Sequence, residues 1–230
     1  MALPAIVLLL AFVGGIFQTG VVALDSLLVA SAVAAAAAWL HWLRFRVPIT
    51  VAAGAAAVVA CAYALLVKAI PASVDWTAGI LLLSGIAVFA VAMRWDLSDT
   101  QRQTRRSDVA FWLHLLAAPL LVHPVFTTLG VFDAKADLFK ALVVIVLYIA
   151  LALVSLAIDR RALMVSALGY VLYAFSALLK QYGVVSLGFA TTALAIGAAL
   201  LLLSAFWHPS RTFVLRRLPA AMRERLAPLR

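Results

Sequence analysis

Long apolar runs, separated by short polar segments, dominate this 230-residue chain. A helix needs about 20 residues, at a rise of 1.5 Å each, to span the ~30 Å hydrocarbon core of a bilayer. A membrane β-barrel would instead show weaker segments of about ten residues that alternate apolar and polar side chains. The runs therefore predict an all-α integral membrane protein with about eight transmembrane helices. The predicted spans are residues 2–19, 21–42, 48–68, 74–94, 109–131, 137–158, 162–180 and 183–206.

Composition argues against a soluble globular protein. Hydrophobic residues make up 67% of the chain and charged residues 12%, whereas soluble domains carry about 25% charged residues. The net charge of +9 would suggest nucleic-acid binding in a soluble protein, but membrane topology accounts for it, so we expect no nucleic-acid partner. The first segment lacks a basic n-region and a cleavage signal, and we expect it to be retained as the first span.

The distribution of basic residues predicts the orientation of the spans. All fourteen arginines lie on one side of the predicted membrane, and all four lysines lie on the other. Because positively charged loops stay on the cytoplasmic side, we predict a bacterial cytoplasmic (inner) membrane protein with both termini in the cytoplasm. The arginines follow the second, fourth, sixth and eighth spans, and the lysines are Lys68, Lys135, Lys140 and Lys180.

The polar segments are too short to form a soluble domain. We expect a transmembrane bundle over 1–206, a cytoplasmic loop over 96–108 and a basic tail over 208–230. In the loop, Ser107 and Asp108 suit a helix N-cap. In the tail, arginines alternate with apolar residues, so the tail should lie on anionic lipid headgroups with its arginines outward.

A weak internal similarity at an offset of 112 residues suggests two halves, 1–95 and 108–207. Such an offset would relate two four-helix repeats in the same orientation, as in some transporters. Chance similarity in an Ala- and Leu-rich chain remains the alternative, since spans one and five do not match. The paired features are Ala62–Lys68 with Ala174–Lys180, Gly85 with Gly197, Trp95 with Trp207, and Ser98 with Ser210.

The fifth span carries the candidate binding or pathway residues. His114 and His123 are ionisable groups inside an apolar segment, a placement that by default suggests a functional site. Pro119 and Pro124 each remove a backbone hydrogen bond and should kink the helix. Together with Thr127, the histidines and the kinked backbone would line a small polar path.

Sequence depth alone suggests the neighbours of His123. Tyr148 on the sixth span and Tyr173 on the seventh lie at a similar predicted depth. A proton-responsive or substrate-contacting His123 and a neutral histidine bonded between helices are both open. For His114, which lies closer to the end of its span, a neutral histidine bonded between helices is the stronger interpretation.

The absence of familiar catalytic motifs narrows the possible functions further. The chain contains no HExxH, GxSxG, P-loop or CxxC motif, so we expect no enzyme, no catalytic residue, no metal and no cofactor. We predict passage of protons or of a small neutral or weakly acidic solute through the bundle. The alternative is a scaffold or sensory subunit that packs against a membrane partner. A homo-oligomer is compatible with both.

Overall fold

The computed structural model describes residues 24–130, 138–160 and 206–219, and a few single residues beyond these ranges. Within these ranges every regular element is a helix. The elements are α1 (Leu24–Phe45), α2 (Pro48–Ala69), a 3₁₀ turn (Pro71–Trp76), α3 (Thr77–Leu97), α4 (Arg105–Thr128), α5 (Leu138–Ile158) and α6 (Trp207–Arg216).

Four of the described helical segments are long and apolar enough to cross a membrane. They are α1, α2, the 3₁₀ turn together with α3, and α4. They correspond to the second to fifth predicted spans, and α5 coincides with the sixth. The first and seventh predicted spans, and all but a few residues of the eighth, lie outside the described residues, as does the segment Ala174–Lys180 of the proposed repeat. The described helices thus support a membrane-embedded, all-helical protein.

The chain divides into two compact units, Met1–Ala117 and Ala118–Arg230. In the first unit, α1 packs extensively against α2. The side of α2 that is buried carries alanines four residues apart, at Ala52, Ala56, Ala60 and Ala64. Such small residues let helix backbones approach closely in a membrane.

The first unit also contains polar links between its helices. At the opposite end from the arginines, Lys68 at the end of α2 pairs with Asp25 at the start of α1. Tyr63 on α2 and Thr77 at the start of α3 share a hydrogen bond of 2.9 Å between their hydroxyl groups. These bonds join antiparallel neighbours at matching ends.

The connection between α3 and α4 is shorter than the predicted loop over 96–108. Helix α3 continues to Leu97 and α4 begins at Arg105, because polar residues can extend a helix beyond its apolar part. The predicted N-cap at Ser107 and Asp108 is wrong. Thr104 occupies that position, and its hydroxyl accepts a hydrogen bond of 3.3 Å from the Arg106 backbone N–H.

Asp99 holds this connection in a fixed turn. Its carboxylate accepts hydrogen bonds from the backbone N–H groups of Gln103 (3.2 Å) and Thr104 (2.9 Å) and from the Thr104 hydroxyl (2.6 Å). The hydrogen bond from the Thr104 hydroxyl is the largest influence on the pKa of Asp99, which lies below its ordinary value. The ionised carboxylate therefore completes the N-terminal cap of α4.

Candidate functional site

His114 is the most deeply buried ionisable group of the first unit, with no exposed surface. Its Nε2 atom lies 2.7 Å from Oδ2 of Asp96, and the Asp96 side chain is 12% exposed. The Phe89 ring meets the imidazole edge-on, with ring centroids 5.2 Å apart. We call these three residues the α3–α4 polar cluster.

The two helix ends explain how Asp96 and His114 meet. Asp96 lies in the last turn of α3, which extends past the predicted end at residue 94. Helix α4 begins four residues before the predicted start at 109, so His114 lies deeper along the helix than expected. Because Asp96 lies at the end of a span and not in its middle, hydropathy gives no signal that it is the partner of His114.

An aspartate and a histidine in contact can hold a proton in more than one way. The bond at Nε2 can be made by a neutral imidazole that donates to the carboxylate, or by an imidazolium that forms an ion pair. His114 Nδ1 has no hydrogen-bond partner among the residues described here. The Asp96 carboxylate and the His114 imidazole are therefore placed to share one proton along the Nε2–Oδ2 contact.

His123 lies nine residues further along α4 and is half-buried. The hydroxyl of Thr127 donates to the carbonyl oxygens of His123 (3.1 Å) and Pro124 (2.9 Å). The hydroxyl of Thr128 donates to the Pro124 carbonyl at 2.9 Å. The hydroxyl groups of both threonines are therefore hydrogen-bonded within their own helix, an arrangement that often bends helices. The same helix contains two prolines, Pro119 and Pro124.

The structure describes one of the two tyrosines proposed as neighbours of His123. Tyr148 on α5 packs beside a small apolar cluster of Leu156 and Trp207. Its buried hydroxyl has no hydrogen-bond partner within the described ranges. Tyr173 lies outside the described residues, so its place beside His123 stays a prediction.

A second polar cluster joins α5 to α6 in the second unit. Asp159, directly after α5, has a left-handed backbone with φ 59°. Its carboxylate accepts a 2.6 Å hydrogen bond from the Trp207 indole N–H and lies 3.8 Å from Nε of Arg211. We call Asp159, Trp207 and Arg211 the α5–α6 polar cluster.

The prediction that the tail arginines all point outward is wrong for Arg211. Trp207, Arg211 and Leu215 are spaced by four residues and form the buried side of α6, with Arg211 only 1% exposed. Burial lowers the pKa of the Arg211 guanidinium, and the Asp159 carboxylate opposes that change. Arg216 and Arg217 are exposed, as predicted.

Metal binding finds no support in the described ranges, where no group of three or more His, Cys, Asp or Glu side chains is placed to hold an ion. The α3–α4 polar cluster contains two ionisable side chains, Asp96 and His114. The chain matches no family model, no curated protein and no solved structure.

Proposed function

We propose that the protein passes protons, or a small neutral or weakly acidic solute, across a membrane. Buried Asp, Glu and His side chains in membrane proteins commonly form proton relays and substrate sites. The observation that carries the proposal is the contact between Asp96 and the fully buried His114. His123 on the same helix is the second candidate pathway residue.

The position of the Asp96–His114 pair suits entry or release at one side of the membrane. Asp96 lies in the last turn of α3, which also contains Arg94. The positive-inside rule assigns such an arginine-rich end to the cytoplasm. We therefore propose that this pair exchanges protons with the cytoplasm of a bacterial cell, with the protein in its inner membrane.

Flux measurements in proteoliposomes test the proposal. Wild-type protein should move protons, detected with a pH-sensitive dye trapped inside the vesicles, at a rate that changes between about pH 5 and pH 8. The variants Asp96→Asn and His114→Gln should lower that rate by at least about tenfold, because each removes a positioned proton-transfer group. His123→Gln tests the second candidate separately.

His41→Gln is the matched control. His41 lies on α1 with its ring tilted against that of Phe45, and it forms no ion pair within the described part of the chain. The control should keep the wild-type flux. Equal flux in the wild type, Asp96→Asn and His114→Gln would remove the pair from the mechanism, and the same vesicles loaded with neutral and weakly acidic solutes would test a substrate other than the proton.

Two observations favour the alternative, a non-transporting scaffold or sensory subunit. His114 has no exposed surface, as expected in a helix bundle whose interior is filled. The hydrogen bonds of Asp99 also hold the connection between α3 and α4 in one conformation, as expected of a loop that docks to a partner. The absence of flux above that of protein-free vesicles for protons and for every solute, with all variants folded, would favour this alternative.

A further inference from the structure

A pocket of about 320 Å³ opens at the arginine-rich end of the first unit. It is formed by the end of α1, the last turn of α3 and the first turn of α4. Its lining residues are Trp42, Arg46, Trp95, Thr104, Arg105 and Arg106. The pocket therefore combines three guanidinium groups with two indole rings.

The three arginines have no competing carboxylate in the pocket. Arg46, Arg105 and Arg106 are exposed and form no ion pair within the described ranges. Two nearby carboxylates are engaged elsewhere, since Asp96 contacts His114 and Asp99 binds the turn before α4. The pocket lining therefore contains three basic side chains and no carboxylate.

The backbone holds the pocket arginines in place. The Arg46 N–H donates to the Trp42 carbonyl at 2.9 Å, and Arg46 then adopts a left-handed conformation with φ 53°. Its guanidinium carbon lies 5.6 Å from the centroid of the Trp42 ring. Arg105 and Arg106 begin α4, where the positive end of the helix dipole adds to their charge.

We propose that this pocket binds the phosphate group of an anionic phospholipid. Guanidinium groups bind phosphate oxygens through paired, charge-assisted hydrogen bonds. Tryptophans at helix ends lie at the headgroup level of a bilayer, which favours a lipid over a soluble phosphate. Trp42 and Trp95 would contact the glycerol and upper acyl region, and the arginines would bind the headgroup phosphate.

Native mass spectrometry of the detergent-solubilised protein tests this site. Phosphatidylglycerol should form a one-to-one adduct. The variant Arg46→Gln/Arg105→Gln should weaken that adduct by at least about tenfold, because each substitution removes hydrogen bonds to a charged group. Phosphatidylcholine with the same acyl chains, and inorganic phosphate alone, are the comparison ligands.

The control variant is Arg44→Gln/Arg94→Gln, which removes two exposed arginines from the same end of the helices but outside the pocket. It should bind phosphatidylglycerol as the wild type does. Equal weakening in both double variants would show general attraction to basic residues and overturn the proposal. Equal occupancy by inorganic phosphate alone would also overturn it, because the ligand would then be a soluble phosphate.

Discussion

The α3–α4 and α5–α6 polar clusters are built around an aspartate at the end of an apolar helix and differ in the partner of that aspartate. Asp96 contacts the fully buried His114, whereas Asp159 contacts Trp207 and Arg211. An arginine is always charged and an indole is a neutral donor, whereas an imidazole can make the same bond in its neutral or its protonated form. The α3–α4 polar cluster therefore pairs its aspartate with a side chain that does not have to carry a charge, and the α5–α6 polar cluster pairs its aspartate with a fixed cation.

The largest loss of stability is expected in the α5–α6 polar cluster. Asp159→Ala should lower the free energy of unfolding by about 3–5 kcal/mol, because it leaves the buried Arg211 charge without its carboxylate. Thermal unfolding in detergent micelles, followed by tryptophan fluorescence, measures this loss.

The double variant Asp159→Ala/Arg211→Leu serves as the control for this effect. It removes both charges, so it should recover most of the lost stability. If the double variant is as unstable as Asp159→Ala alone, Asp159 does not stabilise the protein by compensating the charge of Arg211. That result would contradict the contrast between the two clusters.

A smaller loss of stability is expected in the α3–α4 polar cluster. Asp96→Ala should cost about 1–3 kcal/mol, the loss of a hydrogen-bond partner for the buried imidazole, because an imidazole, unlike a guanidinium, does not have to carry a charge. The same unfolding measurement applies, with the exposed Asp75→Ala expected to stay within about 0.5 kcal/mol of wild type. A loss as large as that of Asp159→Ala would contradict this contrast between the two clusters.

The smallest effect is expected for Asp99, whose partners are backbone N–H groups and a hydroxyl. Asp99→Asn should cost about 1 kcal/mol, the value of a helix cap. Because folding lowers the pKa of Asp99 below 3.8, its stabilisation is present above that pH and is lost as the pH falls through the folded-state pKa. The difference between wild type and Asp99→Asn should therefore shrink in acid, and a constant difference would contradict this account.

The helices were predictable because the bilayer sets their length. The spans predicted at 48–68 and 137–158 agree closely with α2 and α5. Predicted ends were less accurate at 94 and 109, since hydropathy locates the edge of the apolar segment and not the end of the helix. For the same reason, hydropathy does not place Asp96 on the helix that carries it toward His114.

The orientation of Arg211 was missed for a different reason. Composition predicts a basic surface segment for the tail, although Trp207, Arg211 and Leu215 share one side of a helix by their spacing of four residues. That spacing was the available signal. The hydrogen bond between Trp207 and Asp159 joins residues 48 positions apart, and a single sequence carries no pattern that predicts such a pairing.

The burial of Arg211 has a consequence for how the protein responds to ionic strength. Salt screens exposed charges over a Debye length of about 8 Å at physiological concentration, and screens buried pairs much less. Added salt should therefore weaken any attraction of the exposed Arg216 and Arg217 to anionic surfaces while the Asp159–Arg211 pair persists. In the described part of the tail, attraction to anionic surfaces is therefore set by the outward-facing Arg216 and Arg217 and not by Arg211.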